Sequence, residues 1–209
     1  MSNRELIRKW NRASRRYDWT TGAEHRRLAP YKRRLFRRAS GRVLLVGAGT
    51  GRDFELLPPD CEVTAIDISP AMVELARPRV EKSPSPLCLS VMDVERLELP
   101  DESIDTVLAV CVFCSVERPG AGLLEVRRVL RPGGRLLMLE HVRSRVAPIA
   151  VMQDLMTVIT RRYGPDMNRD TVQTVARCGF RILREENLYL DIIKSIDAAP
   201  AVPPGAADG

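Results

Sequence analysis

One short unit constrains this chain more than anything else in it: Val43-Leu-Leu-Val-Gly47-Ala48-Gly49-Thr-Gly51, with Asp67 following 20 residues after Gly47. An apolar run feeding straight into a G-x-G-x-G turn reads as a buried strand whose end lets a ligand approach the backbone, because glycine has no Cβ and tolerates positive φ. A helix expected near Arg52 to Leu57 would offer free N–H groups to a polar ligand. The second strand, Glu62 to Asp67, ends on a carboxylate, which can accept hydrogen bonds from both hydroxyls of a ribose. The glycine spacing separates two ligand classes. A dinucleotide fingerprint is G-x-G-x-x-G, with pyrophosphate at the helix N-terminus. Here the residue after Gly51 is Arg52, and the shorter spacing suits an adenosine carrying an amino-acid tail.

Beyond this unit, strands and helices alternate. A helix is expected over Pro70 to Val80, capped by Ser69 with Pro70 in its first turn. Strands follow at Leu87 to Val91 and Asp105 to Val112, the latter nearly continuous in apolar residues, as in a parallel strand covered on both faces. A helix over Gly120 to Leu130 stops at Arg131-Pro-Gly-Gly134, before a fifth strand at Arg135 to Glu140. Helices near Ala150 to Arg162 and Asp170 to Cys178 precede two strands around Arg181 to Leu190. This order predicts an α/β fold: a Rossmann-like, seven-stranded, mostly parallel sheet with helices on both faces. The domain spans residues 41–197, and 198–209, rich in Ala, Pro, Gly and Asp, read as a disordered tail.

Charge isolates the N-terminus. Residues 1–40 hold 13 Lys or Arg against 3 Asp or Glu, a balance of +10, whereas residues 41–209 carry −4. Leu6, Ile7, Trp10, Ala13 and Tyr17 recur at helical spacing among the arginines. Two readings fit: a basic amphipathic helix on an anionic membrane surface with Trp10 in the interface, or a lid whose apolar stripe packs over the ligand cleft. Nucleic-acid binding is not expected, because the arginines lack an aromatic platform and no recognition motif appears. With no apolar run of membrane-spanning length and no secretory leader, the expected location is the cytoplasm, with peripheral contact at the inner membrane surface under the first reading. Five cysteines, an odd number, argue for reduced thiols. Cys111 and Cys114 form a C-x-x-C, but a zinc site needs further ligands and only His25 and His141 exist. No metal is expected, and these cysteines read as buried apolar side chains.

Five landmarks in order make the chain resemble the class I S-adenosylmethionine-dependent methyltransferases. They are the Val43–Gly51 loop, Val63-Thr-Ala-Ile-Asp67, Val91-Met-Asp93-Val94, Ser103-Ile-Asp105-Thr-Val107 and Val129-Leu-Arg-Pro-Gly-Gly134. The resemblance implies S-adenosyl-L-methionine as cofactor, with Asp67 on the ribose and Asp93 on the adenine amino group. It also implies Ile68 and Val94 around the adenine, the Gly47, Ala48, Gly49 and Gly51 backbone around the methionine portion, and Val110 beside it. One departure stands out: where the family often has an acidic residue two positions before the first glycine, this chain has Leu45. Cys114-Ser-Val116, Glu140-His-Val142 and Asn168-Arg-Asp170 are similar to a narrower group of ubiquinone-biosynthesis-like, phospholipid N- and small thiol methyltransferases. The acceptor implied is a small molecule or a lipid, including a phospholipid amine. A nicotinamide-dependent oxidoreductase, disfavoured by the glycine spacing, and a non-catalytic cofactor-binding partner are the alternatives.

His141, after the fifth strand, is the candidate base that removes a proton from the acceptor; otherwise it shapes the rim by local hydrogen bonds. Orientation alone accelerates an in-line methyl transfer, so a dedicated base is not required. Tyr17 is a candidate wall of the substrate pocket. Arg169 either pairs with an anionic substrate or belongs to a helix start capped by Asn168 or Asp170. Glu140 is expected on the opposite face from His141, solvated.

Overall fold

A computed structural model describes residues 3–160, 166 and 168–201. The basic segment forms two helices, α1 (Asn3–Thr20) and α2 (Gly22–Phe36). The sheet is built from β1 (Gly41–Val46), β2 (Cys61–Asp67), β3 (Leu87–Val91), β4 (Ile104–Val110), β5 (Leu130–His141), β6 (Phe180–Tyr189) and β7 (Ile193–Pro200). The remaining helices are α3 (Pro70–Ala76), α4 (Pro119–Val129), α5 (Ala147–Thr160) and α6 (Thr171–Arg177).

The strand order is β3-β2-β1-β4-β5-β7-β6, parallel from β3 through β5, with β7 antiparallel to both its neighbours. The order reverses at β1, flanked by β2 and β4, and an α/β sheet opens a ligand crevice at the carboxyl ends of strands at such a switch point. Alternate residues serve opposite faces. Leu44, Val46, Val107, Ala109 and Met138 pack with Leu123 and Val126 of α4 and Val175 of α6. Val43, Leu45, Val63, Leu108 and Leu139 pack with Leu28, Leu35 and Phe36 of α2. Coverage on both faces explains the unbroken apolar runs. Leu45, at 3% exposure, fills the α2-side core.

Several boundaries differ from the sequence expectation. After the glycine loop the chain makes only a short 3-10 turn, Phe54–Leu56, because Pro58 and Pro59 follow at once and cannot continue a helix. The helix begun at Pro70 gives way after Ala76 to a 3-10 segment, Arg77–Lys82, where Pro78 supplies no N–H. Ser69 caps it as expected, accepting from the Met72 N–H at 3.2 Å. The residues expected to stop a helix, Arg131 to Gly134, lie inside β5 and are absorbed by a register shift opposite Ile104 and Thr106. One strand, β6, fills the range expected to hold two. The second is β7, and it corrects the tail boundary: Ala198, fully buried, pairs with Leu136, and the strand runs on to Pro200. Small alanines fit closely against β5, which compensates for their low strand propensity. Residues 202–209 of the expected tail, and the end of the helix expected to reach Arg162, lie outside the described residues. Among the described residues no helix is long and apolar enough to cross a membrane.

Candidate functional site

A cleft opens at the carboxyl ends of β1, β2 and β4. Gly47, Gly49, Asp67, Ile68, Asp93, Val94, Val110 and Tyr17 all line it. The glycine loop is shaped for close approach. Gly47 has φ +70°, and a Cβ there would lie 2.4 Å from a Val112 methyl. A Cβ on Gly49 would instead point at the Tyr17 ring, 3.8 Å away, so glycine leaves that space to a ligand. Gly51 is set back from the cleft, its missing Cβ making room for Phe54. Ala48 lines a second, adjoining cavity.

Asp67 ends β2 as a hub. Its Oδ2 accepts the Gly49 N–H at 2.8 Å and its Oδ1 the Ser69 N–H at 2.9 Å. Burial raises its pKa, with these two bonds pulling the other way. Asp93 accepts the Glu95 N–H at 2.9 Å and a bond from the Asn3 side-chain amide of α1. Burial raises its pKa as well. The cleft thus sets Asp67 and Asp93, with Glu95 beside them, on otherwise mainly apolar walls, a set that fits an adenosine: acceptors for hydroxyl and amino groups, with Ile68 and Val94 for the base.

Helix α1 closes the cleft. Leu6, Trp10 and Tyr17 line it, with the Trp10 and Tyr17 rings edge to face at 6.1 Å, while Arg4, Arg8, Arg12, Arg15 and Arg16 are exposed on the outer side. Leu6, Trp10 and Tyr17 of the apolar stripe thus face the cleft, the arrangement expected of a lid. Polar clasps fix the lid. Asn11 Oδ1 accepts from Ser69 Oγ at 2.6 Å. Asp18 accepts from Thr50 Oγ1 at 2.6 Å and from Arg79 at 2.7 Å, and Arg79 also donates to the Thr50 carbonyl at 2.7 Å. Burial pushes the Asp18 pKa up, but the Thr50 and Arg79 bonds outweigh it and hold it below the usual range. The clasp is thus present at neutral pH and is lost only as pH falls through that lowered value. Asp18→Ala, which removes a half-exposed pair worth about 1 kcal/mol, should speed cofactor release several-fold in stopped-flow dissociation and expose α1 to protease. Unchanged rates would mean that the clasp does not hold the lid.

The second cavity adjoins the first at Tyr17, Gly47, Gly49, Val110 and Cys111, and brings in Glu24, His25, Lys32 and Asp53. Lys32 is neutralised there by Asp53 at 2.8 Å. His141, 6% exposed, is not a lining residue of either cavity. Its Nε2–H donates to Glu24 Oε1 at 3.0 Å, and its Nδ1 is enclosed without a partner among the described residues. That bond holds the Glu24 carboxyl below its usual pKa. Glu24, at 42% side-chain exposure, is the member of the pair that meets the cavity. Cys111 is a half-buried wall of both cavities, with φ +55°, in place of the apolar core residue expected. Burial pushes the Cys111 and Cys114 thiols up, so both stay protonated.

Glu140 also corrects the sequence expectation. It is fully buried, and its carboxylate accepts the N–H groups of Val112 at 2.8 Å, Phe113 at 2.9 Å and Cys114 at 3.3 Å. Alternation along β5 does put it opposite His141, but that face is covered by the loop after β4. Arg169 spends its guanidinium internally, on Asp166 at 2.7 Å and on the Phe113 and Val116 carbonyls at 2.9 and 2.6 Å. Asp170 caps α6 through the Gln173 N–H at 3.0 Å, and Asn168 donates to Asp154. Sequence reasoning missed Asn3, Asn11, Asp18, Thr50, Arg79 and Glu24. One signal was available: two of the three acids in the basic segment, Asp18 and Glu24, make site contacts.

Residues 44–138 match the model of a methyltransferase domain. Mouse thiol S-methyltransferase TMT1B is 30% identical over 179 residues, covering 77% of this chain and 71% of that protein. The phosphatidylethanolamine N-methyltransferase of Cereibacter sphaeroides is 37% identical over 115 residues, 54% of this chain and 57% of the relative. A solved structure from Thermotoga maritima, described as an SAM-dependent methyltransferase, superposes with TM-score 0.70 at 20% identity over 93% of this chain and 99% of its own. The chain spans 54% to 71% of the length of the curated relatives it matches first. A relative 30% identical over 77% of the chain, with the methyltransferase-domain match over 44–138 and a Rossmann-like sheet opening a cleft at its switch point, places the chain in the class I S-adenosylmethionine-dependent methyltransferases.

Proposed function

We propose that the chain transfers the methyl group of S-adenosylmethionine to an amine or thiol on a small or lipid-like acceptor. The observation that carries this reading is the pair of adjoining cavities, one with Asp67 and Asp93, the other with Glu24, meeting at Tyr17, Gly47, Gly49 and Cys111. Asp67 and Asp93 hold the ribose and adenine, Ile68 and Val94 flank the base, and the Gly47–Gly49 backbone leaves room for the amino-acid tail. When bound, the cofactor supplies a methyl group on a sulfonium. The protein's part is alignment: Tyr17 and Val110 wall the junction so that an acceptor atom lies in line.

Glu24 takes the role first sought at His141. An amine or thiol sheds a proton as it is methylated, and a carboxylate facing the cavity accepts it. His141 keeps that carboxylate oriented and ionised through the Nε2–H bond. The relatives named for thiol and phospholipid amine chemistry support both acceptor classes. The glycine spacing and the family membership disfavour nicotinamide chemistry.

Three measurements test the proposal. Calorimetric titration should show binding of S-adenosylmethionine and none of NADH. Labelled S-adenosylmethionine should then pass its methyl to members of a panel of alkyl thiols and phosphatidylethanolamine. Glu24→Gln should lower kcat at least tenfold with cofactor affinity unchanged. Full activity in that variant would return the acceptor's proton directly to water, and no transfer to either class would overturn the acceptor assignment.

A further inference from the structure

Helix α5 is built inside out. Its inward side carries Ala150, Gln153 and Thr157, each about 3% exposed. Gln153 is tied down there, donating to the Val142 carbonyl at 2.9 Å and accepting the Ser144 N–H at 2.7 Å. The outward side carries Val151, Met152, Leu155, Met156 and Val158, at 46% to 77% exposure. Five large apolar side chains on one outer helix face, above a polar inner face, are the reverse of what water selects. The helix holds one charged residue, Asp154, already paired with Arg143 at 2.8 Å. In the turn between β6 and β7, Leu190 is a further exposed apolar side chain, at 61%. Asp191 fastens that turn to the start of α5 through the Arg145 N–H at 2.6 Å.

Position and charge identify what covers this face. The inner side of α5 is anchored to Val142 and Ser144, immediately beyond the carboxyl end of β5. The lid α1 covers the carboxyl ends of β2 and β3. Both therefore flank the same end of the sheet, where the two cavities lie. At this end of the sheet the exposed charge is mainly basic: the Arg145 side chain is 76% exposed with Glu185 3.7 Å away, and α1 presents an outer row of exposed arginines. A second copy of the chain would bring another such set of arginines against these, whereas an anionic lipid surface complements them.

We propose that α5 is a membrane-contact helix, its outer face entering the headgroup–acyl boundary of an anionic bilayer while arginines of α1 and Arg145 meet the headgroups. The proposal does not rest on the methyl-transfer reading, although it would set the acceptor cavity against the bilayer. An interfacial helix of this kind gains from apolar burial and from attraction to anionic lipid together.

Cosedimentation of the full chain with phosphatidylglycerol-containing vesicles, compared with pure phosphatidylcholine, tests this. Strong binding to the anionic vesicles is expected, falling as salt screens the arginines. Leu155→Asp combined with Val158→Asp should reduce partitioning at least tenfold, with melting temperature and S-adenosylmethionine affinity unchanged. Hydrogen exchange on the unmodified protein gives a readout that does not depend on the variant folding: vesicles should protect α5 and the turn at Leu190. Equal sedimentation of the variant, equal binding to both vesicle types, or protection confined to other segments would each overturn the proposal. So would a dimer that the double substitution dissociates, which would assign the face to a second copy of the chain.

Discussion

Glu140→Ala should be among the most destabilising single substitutions in this chain. The side chain is fully buried and serves as acceptor for three consecutive backbone N–H groups, those of Val112, Phe113 and Cys114. Alanine leaves all three donors without a partner, those of Phe113 and Cys114 in buried surroundings and that of Val112 beside the cleft. Each unsatisfied buried donor costs about 1–3 kcal/mol, so the two buried donors alone should cost at least about 2 kcal/mol. That is a large share of the roughly 5–15 kcal/mol that holds a domain folded. Function should suffer with stability, because this loop sets Val112 against Gly47, where a Cβ would lie only 2.4 Å from a Val112 methyl. Urea denaturation reads the first effect and cofactor titration the second. Glu140→Gln keeps a carbonyl for Val112 and Phe113 and turns an amide toward the longer Cys114 contact, so it should recover most of the stability. A loss below about 1 kcal/mol in the alanine variant would mean that the loop is held by its other contacts.

What the sequence disclosed and what it hid follow from the range of the interactions involved. Asp67 was legible because a strand, a glycine turn and a terminal acid sit within one local unit, and the structure places it at the cleft. Asp93, Ile68, Val94 and Val110, picked out through the family's motif order, also line the cleft. Glu24 was not, because its meaning depends on contact with His141, which lies far along the chain on another element. Glu140 misled because alternation tells which face a side chain takes but not what covers that face. The helical spacing of Leu6, Trp10 and Tyr17 showed an apolar stripe without saying whether lipid or cleft would receive it. Helix α5 shows the converse difficulty: its composition reads as helix, but the inward residues Gln153 and Thr157 are polar, so no periodicity reveals which side is buried. The strand Ile193–Pro200 was missed because its alanines look like tail residues, and only packing against β5 makes them core.

Asp67→Ala should lower affinity for S-adenosylmethionine at least tenfold. Two ribose hydroxyls donating to a charged acceptor contribute on the order of 1.5–3 kcal/mol each, reduced by whatever water replaces them. The same carboxylate holds the Gly49 and Ser69 N–H groups, so the variant also loosens the glycine loop. Asp67→Asn separates the two roles, retaining one amide oxygen as a backbone acceptor while losing the charge. It should keep the melting temperature closer to wild type than its cofactor affinity. The pH dependence gives an independent check. Burial raises the folded pKa of Asp67 above the ordinary carboxylate value. For the ligand-free fold, its contribution is therefore fully present below the unfolded pKa and is lost as pH rises through the folded one. Ribose binding requires the ionised acceptor and so has the opposite sign: affinity falls as pH drops through the raised value. The thermal shift produced by S-adenosylmethionine should accordingly shrink toward acid pH in the wild type. In Asp67→Asn it should be smaller throughout and depend less on pH, keeping only the share that Asp93 contributes. A wild-type shift that held constant down to the ordinary carboxylate range would remove Asp67 from the ribose.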